Sequence, residues 1–232
     1  MTAVKICGIT SLQDAFAACD YGAEALGFIF YEPSPRYLKP TEARKIIKKL
    51  PRDIATVGVF VNPKISLVRN IREYCPLDFI QLSGDETPDF CDHFTASMLF
   101  KVVPADQSEV LRNLDLYNAR AFLIDSRETG HFGGTGKLSN WEQARAVGRN
   151  HPIILAGGLN PENVEAAIAA VSPEAVDVSS GVEISPGKKD PQKVRMFIER
   201  VRFRGGRDDN GIFNRDKKLS EASMPALSPG QR

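Results

Sequence analysis

Eight short apolar runs, each followed by a stretch of helical character, recur along the first two hundred residues at a spacing of about 25 residues. The runs are residues 4–7 (VKIC), 23–30 (AEALGFIF), 54–61 (IATVGVFV), 78–82 (DFIQL), 98–103 (MLFKVV), 121–124 (AFLI), 152–155 (PIIL) and 175–178 (AVDV). Runs this short and continuously apolar suit strands covered on both faces, and helical crossovers between them require the strands to be parallel. Helices are expected at 11–21, 41–50, 66–74, 86–94, 108–114, 141–148, 161–171 and 191–203. Ser11 and Asn160 stand where N-caps are needed, and Gly22 where the first helix must stop. The 86–94 segment is the weakest, because Pro88 falls in its first turn. Eight such units within about 200 residues predict an α/β fold, a (β/α)8 TIM barrel forming a single domain, since open doubly wound sheets usually stop at fewer strands.

Length agrees: α/β barrels of roughly 200–250 residues commonly form one unit, and this chain has 232. The expected barrel domain is 1–203. Beyond it, 204–232 is rich in Gly, Ser, Pro and charge with scattered apolar residues, and is expected to be a disordered C-terminal tail outside the fold.

Charge and cysteine usage exclude other classes. A formal net charge of +1 gives no reason to expect nucleic acid or an anionic membrane as partner. No apolar run approaches the roughly 20 residues of a membrane span, and the start MTAVKICG lacks the basic-then-apolar pattern of a signal peptide, so a cytoplasmic protein is expected. The four cysteines, Cys7, Cys19, Cys75 and Cys91, show no CxxC-type spacing, and there are three histidines, so neither a structural metal nor a disulfide framework is predicted. Cys19 lies among alanines and reads as a small buried hydrophobe.

In a barrel of this kind catalytic groups sit at the C-terminal ends of the strands, and phosphate binds after strands 7 and 8. That rule selects Cys7 after strand 1, Arg36 in the loop after strand 2, Asp125 after strand 6, Gly157 and Gly158 after strand 7, and Asp177, Ser179, Ser180 and Gly181 at strand 8. The AGGLN and SSGVE turns would offer backbone N–H groups to an anion, aided by the partial positive charge of a helix N-terminus. Arg36 has a planar fork that suits a carboxylate, although a loop arginine read alone is more often a solvated surface residue. Asp125 could equally cap its loop. A thiol and a carboxylate facing each other make an acid–base pair, provided positive charge or N–H groups favour the thiolate. Lys5 is not the obvious source, because alternation places it beside Cys7 only if both point inward. The glycine-rich stretch near 127–137 has the composition of a closing lid.

Assembled, these segments resemble phosphoribosylanthranilate isomerase, the monofunctional barrel enzyme of tryptophan biosynthesis. VKICGIT, GAEALGFIFYEPSPRYL, VGVFVN, FLIDS, GGTGK, ILAGGLNPENV and the VDVSSGVE…PGKKD region occur in that family's order over roughly residues 3–200. The resemblance implies an Amadori rearrangement of N-(5-phosphoribosyl)anthranilate without a metal or organic cofactor. Asp125 would be the general acid that opens the furanose ring and Cys7 the general base that removes the C2 proton. Arg36 would hold the anthranilate carboxylate, Gly157, Gly158, Ser179, Ser180 and Gly181 the phosphate, and Asp177 would be a polar contact to the substrate. The partner is then a small phosphorylated substrate, handled by a monomer or a homodimer. Where the family often reads QLHG, this chain reads QLSG, so Ser83 replaces an imidazole on the pocket rim. Two rivals remain: the related two-phosphate isomerase of histidine biosynthesis, which the glycine-poor strand 3 loop argues against, and a non-catalytic phosphate-ligand-binding barrel, which would need neither Cys7 nor Asp125.

Overall fold

The computed structural model describes residues 2–104, 112–125, 141–203 and 211–214. Eight parallel strands close into a barrel in sequence order: β1 (Ala3–Cys7), β2 (Ala25–Ile29), β3 (Ala55–Phe60), β4 (Phe79–Leu82), β5 (Leu99–Pro104), β6 (Ala121–Asp125), β7 (Ile153–Leu155) and β8 (Ala175–Val178). Closure comes from β1 pairing with β8, Ala3 opposite Ala175 and Lys5 opposite Asp177. The connecting helices are α1 (Leu12–Asp20), α2 (Pro40–Ile47), α3 (Ile65–Tyr74), α4 (Pro88–Cys91), α5 (Trp141–Gly148), α6 (Val164–Val171) and α7 (Pro191–Arg202). The barrel expected from the eight apolar runs is therefore the one observed, with strand ends differing from the runs by at most two residues.

Local chemistry sets the helix boundaries. The Ser11 hydroxyl accepts from the Asp14 N–H and starts α1, and Asp190 accepts from the N–H groups of Gln192 and Lys193 to start α7 with Pro191 in its first turn. Pro88 does not interrupt α4. It begins it, behind a Thr87 N-cap, because the first helical position needs no N–H donor. Asn160 accepts from the N–H groups of Glu162 and Asn163, capping a turn that leads into α6 three residues later than expected. The helix anticipated at 108–114 falls mainly outside the described residues, as does the 127–137 stretch. A small antiparallel hairpin, β9 (Glu183–Ser185) with β10 (Lys188–Lys189), lies between β8 and α7 and was not anticipated.

Two apolar layers hold the barrel. One lies between strands and helices, with Ile6, Leu26, Phe28, Phe60, Leu99, Ile124, Val176 and Phe197 all essentially inaccessible. The other fills the barrel interior, where small residues begin several strands (Ala3, Ala25, Ala55, Ala121, Ala175) and the large rings of Phe79 and Phe100 stack over them. The floor of that interior is completed from an unexpected direction. Gly211–Asn214 form a turn, the Asn214 N–H donating to Gly211 O, and Ile212 and Phe213 are buried in the interior layer. Phe213 meets Phe79 and Phe100 edge-on. The buried Arg120 donates through Nε to Ile212 O and through Nη2 to Asn214 O. For these four residues the expectation of a tail outside the fold does not hold. Two apolar side chains that bury against the aromatic floor, and two carbonyls that accept from the Arg120 guanidinium, give the chain a reason to return. The remainder of 204–232 lies outside the described residues.

Candidate active site

The C-terminal ends of the strands surround a cavity of about 110 Å³, lined among the described residues by Cys7, Ile29, Tyr31, Ser34, Pro35, Arg36, Val59, Val61, Gln81, Ser83, Val102, Asp125, Asp177 and Ser179. Six residues singled out from the sequence thus face one space: Cys7, Arg36, Ser83, Asp125, Asp177 and Ser179. Cys7 ends β1 and Asp125 ends β6, so they reach it from well-separated strands of the closed barrel. Cys19, Cys75 and Cys91 do not line it.

Cys7 is nearly inaccessible, and burial pushes its thiol above the ordinary range; Lys5 and Lys189 oppose that push and Asp177 adds to it. Lys5 points inward with Cys7, two residues earlier on the same strand, and is fully buried. Its Nζ donates to Asp177 Oδ1 at 2.8 Å. Burial alone would lower the Lys5 ammonium, but the adjacent Asp177 and Cys7 more than compensate, so it is held above the usual lysine value. Asp177 therefore has a partner inside the protein, a lysine that the sequence reading set aside.

Arg36 is likewise engaged. Its Nε and Nη2 donate to the two carboxylate oxygens of Glu183 at 2.9 and 2.7 Å, a side-on bidentate pair. Glu183 also accepts from Lys189 Nζ at 2.9 Å, and Lys189 Nζ reaches Ser179 O at 3.1 Å. Burial pushes the Glu183 carboxyl up, but the hydrogen bonds and charges of Arg36 and Lys189 outweigh it and leave it below the usual carboxylate range. Burial lowers Lys189, against the pull of Glu183. The side-on edge of the Arg36 fork is thereby occupied, while Arg36 also lines the cavity. Glu183 and Lys189 belong to the unanticipated hairpin. The sequence marks them only as part of the charged VDVSSGVE…PGKKD region, with no role attached to either.

After β7, Gly157 and Gly158 both adopt left-handed backbone, at φ 84° and 69°, a conformation that glycine takes at no steric cost. At Gly181 an added Cβ would lie 1.9 Å from Leu159 O, so the turns after β7 and β8 pack directly against each other there. Ser180 and Gly181 sit in a single 3₁₀ turn with Val182. Gly157, Gly158, Ser180 and Gly181 flank the cavity's lining rather than forming part of it. Two further polar atoms, Ser179 Oγ and Gln81 Oε1, are buried without a hydrogen-bond partner among the described residues, and Gln81 Nε2 donates to Ser83 Oγ at 3.1 Å. Gln81 opens the QLSG segment, but the sequence assigns it no role.

Comparison with known proteins gives one answer. Residues 4–200 match the family described as N-(5'phosphoribosyl)anthranilate (PRA) isomerase. The N-(5'-phosphoribosyl)anthranilate isomerase of Syntrophus aciditrophicus is 52% identical over 202 residues, 87% of this chain and 88% of that protein. The one from Citrifermentans bemidjiense is 47% identical over 198 residues, covering 85% and 96%. Among solved structures, phosphoribosyl anthranilate isomerase from Thermotoga maritima superposes with a TM-score of 0.81 at 40% identity, covering 88% of this chain and all of that one. A complex of such an isomerase with reduced 1-(o-carboxyphenylamino)-1-deoxyribulose 5-phosphate gives a TM-score of 0.76 at 38% identity, with coverage of 88% and 100%.

Proposed function

The chain belongs to the N-(5'-phosphoribosyl)anthranilate isomerase family, and on that premise we propose how its own residues divide the work. It is an isomerase of tryptophan biosynthesis. The observation that carries the assignment is that Cys7 and Asp125, from strands far apart in sequence, line one cavity. Asp125 protonates the furanose ring oxygen of N-(5-phosphoribosyl)anthranilate, and the ring opens to an iminium. Cys7 then removes the C2 proton, giving an enolamine that tautomerises to the ketone of 1-(2-carboxyphenylamino)-1-deoxyribulose 5-phosphate. Each positioned acid or base contributes roughly 10²–10⁴-fold.

Burial raises the Cys7 thiol, so the base needs positive charge nearby, and two sources serve it. Lys5 is permanent. The iminium is transient and appears only after ring opening, which ties proton removal to the correct intermediate. Arg36, fixed by Glu183 along one edge, offers its end-on edge to the anthranilate carboxylate. A pre-organised guanidinium loses less freedom on binding than a free one. The Gly157-Gly158 N–H groups, with Ser179, Ser180 and Gly181, receive the phosphate, which suits Ser179 Oγ as a buried donor. Gln81 Oε1 is placed to accept from a substrate hydroxyl or N–H. Asp177 acts through Lys5 in this reading rather than on the substrate directly.

All these residues come from one barrel, placed in residues 1–203. A Thermotoga maritima relative is described as dimeric and crystallised as monomers; the proposed site needs nothing from a second copy and works in a monomer or a homodimer. The cytoplasm is the proposed compartment, in keeping with free thiols at all four cysteines and no helix long and apolar enough to cross a membrane among the described residues. Alkylation tests the assignment. Iodoacetamide should stop turnover with the label located on Cys7 by mass spectrometry, and the reduced product analogue should protect it. Full activity after labelling of Cys7 would remove the thiol from the mechanism.

A further inference from the structure

A fully buried ion pair two residues from the base is hard to explain as a stabilising device. Taking both ions out of water opposes their attraction, and replacing such pairs with apolar groups is often neutral or favourable for stability. Lys5 and Asp177 nevertheless occupy the barrel interior at adjacent strands, Nζ to Oδ1 2.8 Å. Their placement relative to the thiol gives them a purpose. A Cβ added at Gly27, on the neighbouring strand, would lie 2.7 Å from Cys7 Sγ and 3.1 Å from Lys5 Nζ. The sulfur and the ammonium therefore crowd into the same notch, which the absence of a side chain at Gly27 leaves open, and they lie within interaction reach of each other.

We propose that Lys5, held in place by Asp177, is the positioning residue that keeps a cation against the Cys7 sulfur and so stabilises its thiolate for proton abstraction. The proposal rests on the reading of Cys7 as base. Other charged groups face the thiol as well. Asp177 comes from β8, Lys189 from β10, Arg36 from the loop after β2 (its Cδ would lie 2.7 Å from a Cβ at Gly8), and Asp125 from β6 across the cavity. Lys189 and Arg36 are both committed to Glu183, whose negative charge offsets theirs. Lys5 has its own carboxylate, but lies closest to the sulfur in sequence and on the same strand face. Asp177 thus has two opposed effects: it anchors the cation, and its own charge disfavours the thiolate.

The opposed signs provide the test. Thiolate formation at Cys7 is followed by ultraviolet absorbance against pH in a Cys19→Ser/Cys75→Ala/Cys91→Ala background, alongside the pH profile of kcat/KM. Lys5→Met should move the Cys7 titration upward by at least one pH unit, about tenfold less thiolate at a given pH, with the rising limb of the rate profile moving alike. Lys5→Arg should restore much of both, and Asp177→Asn should move the titration the other way. An unmoved titration in Lys5→Met, or movement in the same direction for Lys5→Met and Asp177→Asn, overturns the assignment. If Lys5→Met does not fold, Lys5→Arg and Asp177→Asn carry the test, and an upward movement in Asp177→Asn overturns it. A moved titration with an unmoved rate profile leaves the role of Lys5 towards the thiol standing and instead removes Cys7 as the base.

Discussion

Replacing Phe213 by alanine perturbs a part of the barrel floor that arrives from beyond the last helix. Phe213 is 6% exposed, and its ring stands edge-on to Phe100 at 5.7 Å and to Phe79 at 6.4 Å between centroids. In a core clamped on both sides, Phe→Ala costs about 3–5 kcal/mol. Here the loss has a ceiling, because Gly211–Asn214 can undock without unfolding the barrel. Burial of Ile212 and Phe213 contributes about 1.5–3 kcal/mol each, and the two Arg120 hydrogen bonds to Ile212 O and Asn214 O roughly 1.5–3 each. Ordering four residues opposes this by about 1–2 kcal/mol per residue. Docking is thus favourable by only a few kcal/mol, and Phe213→Ala should cost about 2–3. For a domain of this size each kcal/mol moves Tm by roughly 2–4 °C, so thermal unfolding followed by circular dichroism should fall by about 5–10 °C. Deletion of 204–232 should lower Tm by a similar amount and not much more. Because Phe213 packs at the mouth opposite the cavity, kcat/KM should stay within twofold. An unchanged Tm, or a deletion far more damaging than Phe213→Ala, would refute this account of the floor.

Three other outcomes follow from the site. Arg36→Ala should raise KM for phosphoribosylanthranilate by roughly tenfold or more, as expected for a lost charge-assisted contact of about 1.5–3 kcal/mol, with a smaller change in kcat; steady-state fluorescence kinetics separates the two. Gly181→Ala forces a Cβ to within 1.9 Å of Leu159 O, so the turns after β7 and β8 must part. It should cost about 1–3 kcal/mol of stability and weaken binding of inorganic phosphate, measured by calorimetry. Glu183 has a depressed carboxyl, so its contribution to stability is present above its unfolded value of roughly 4.3 and is lost as pH falls through the lower folded value. The Tm gap between wild type and Glu183→Gln should therefore be full at pH 6 and shrink below about pH 4; a gap that widens on acidification would contradict the assigned pair.

The sequence carried the architecture because each strand is nearly continuous in apolar residues and each helix is bounded by its own caps. It carried Cys7, Arg36 and Asp125 because the fold presents strand ends to one cavity. It could not carry their partners. Whether Lys5 shares a face with Cys7 depends on which way β1 turns within the barrel, and a lysine that turns inward breaks the usual pattern of a charged residue facing water. Glu183 and Lys189 act through a hairpin of three and two residues, too short to leave a periodic signature. Ile212 and Phe213 are two apolar residues in a polar stretch. Only the aromatic floor they meet, and the Arg120 guanidinium that donates to the backbone of their turn, gives them a destination.

The central claim is that one acid and one base on opposite sides of the cavity perform the isomerisation, and it is tested most directly by combining turnover with binding. Cys7→Ala and Asp125→Ala proteins are assayed for loss of phosphoribosylanthranilate fluorescence and titrated calorimetrically with reduced 1-(o-carboxyphenylamino)-1-deoxyribulose 5-phosphate. Each variant is predicted to bind the analogue within about tenfold of wild type while turning over at least 10²-fold more slowly. Turnover near the wild-type rate in either variant, with binding intact, would contradict the claim.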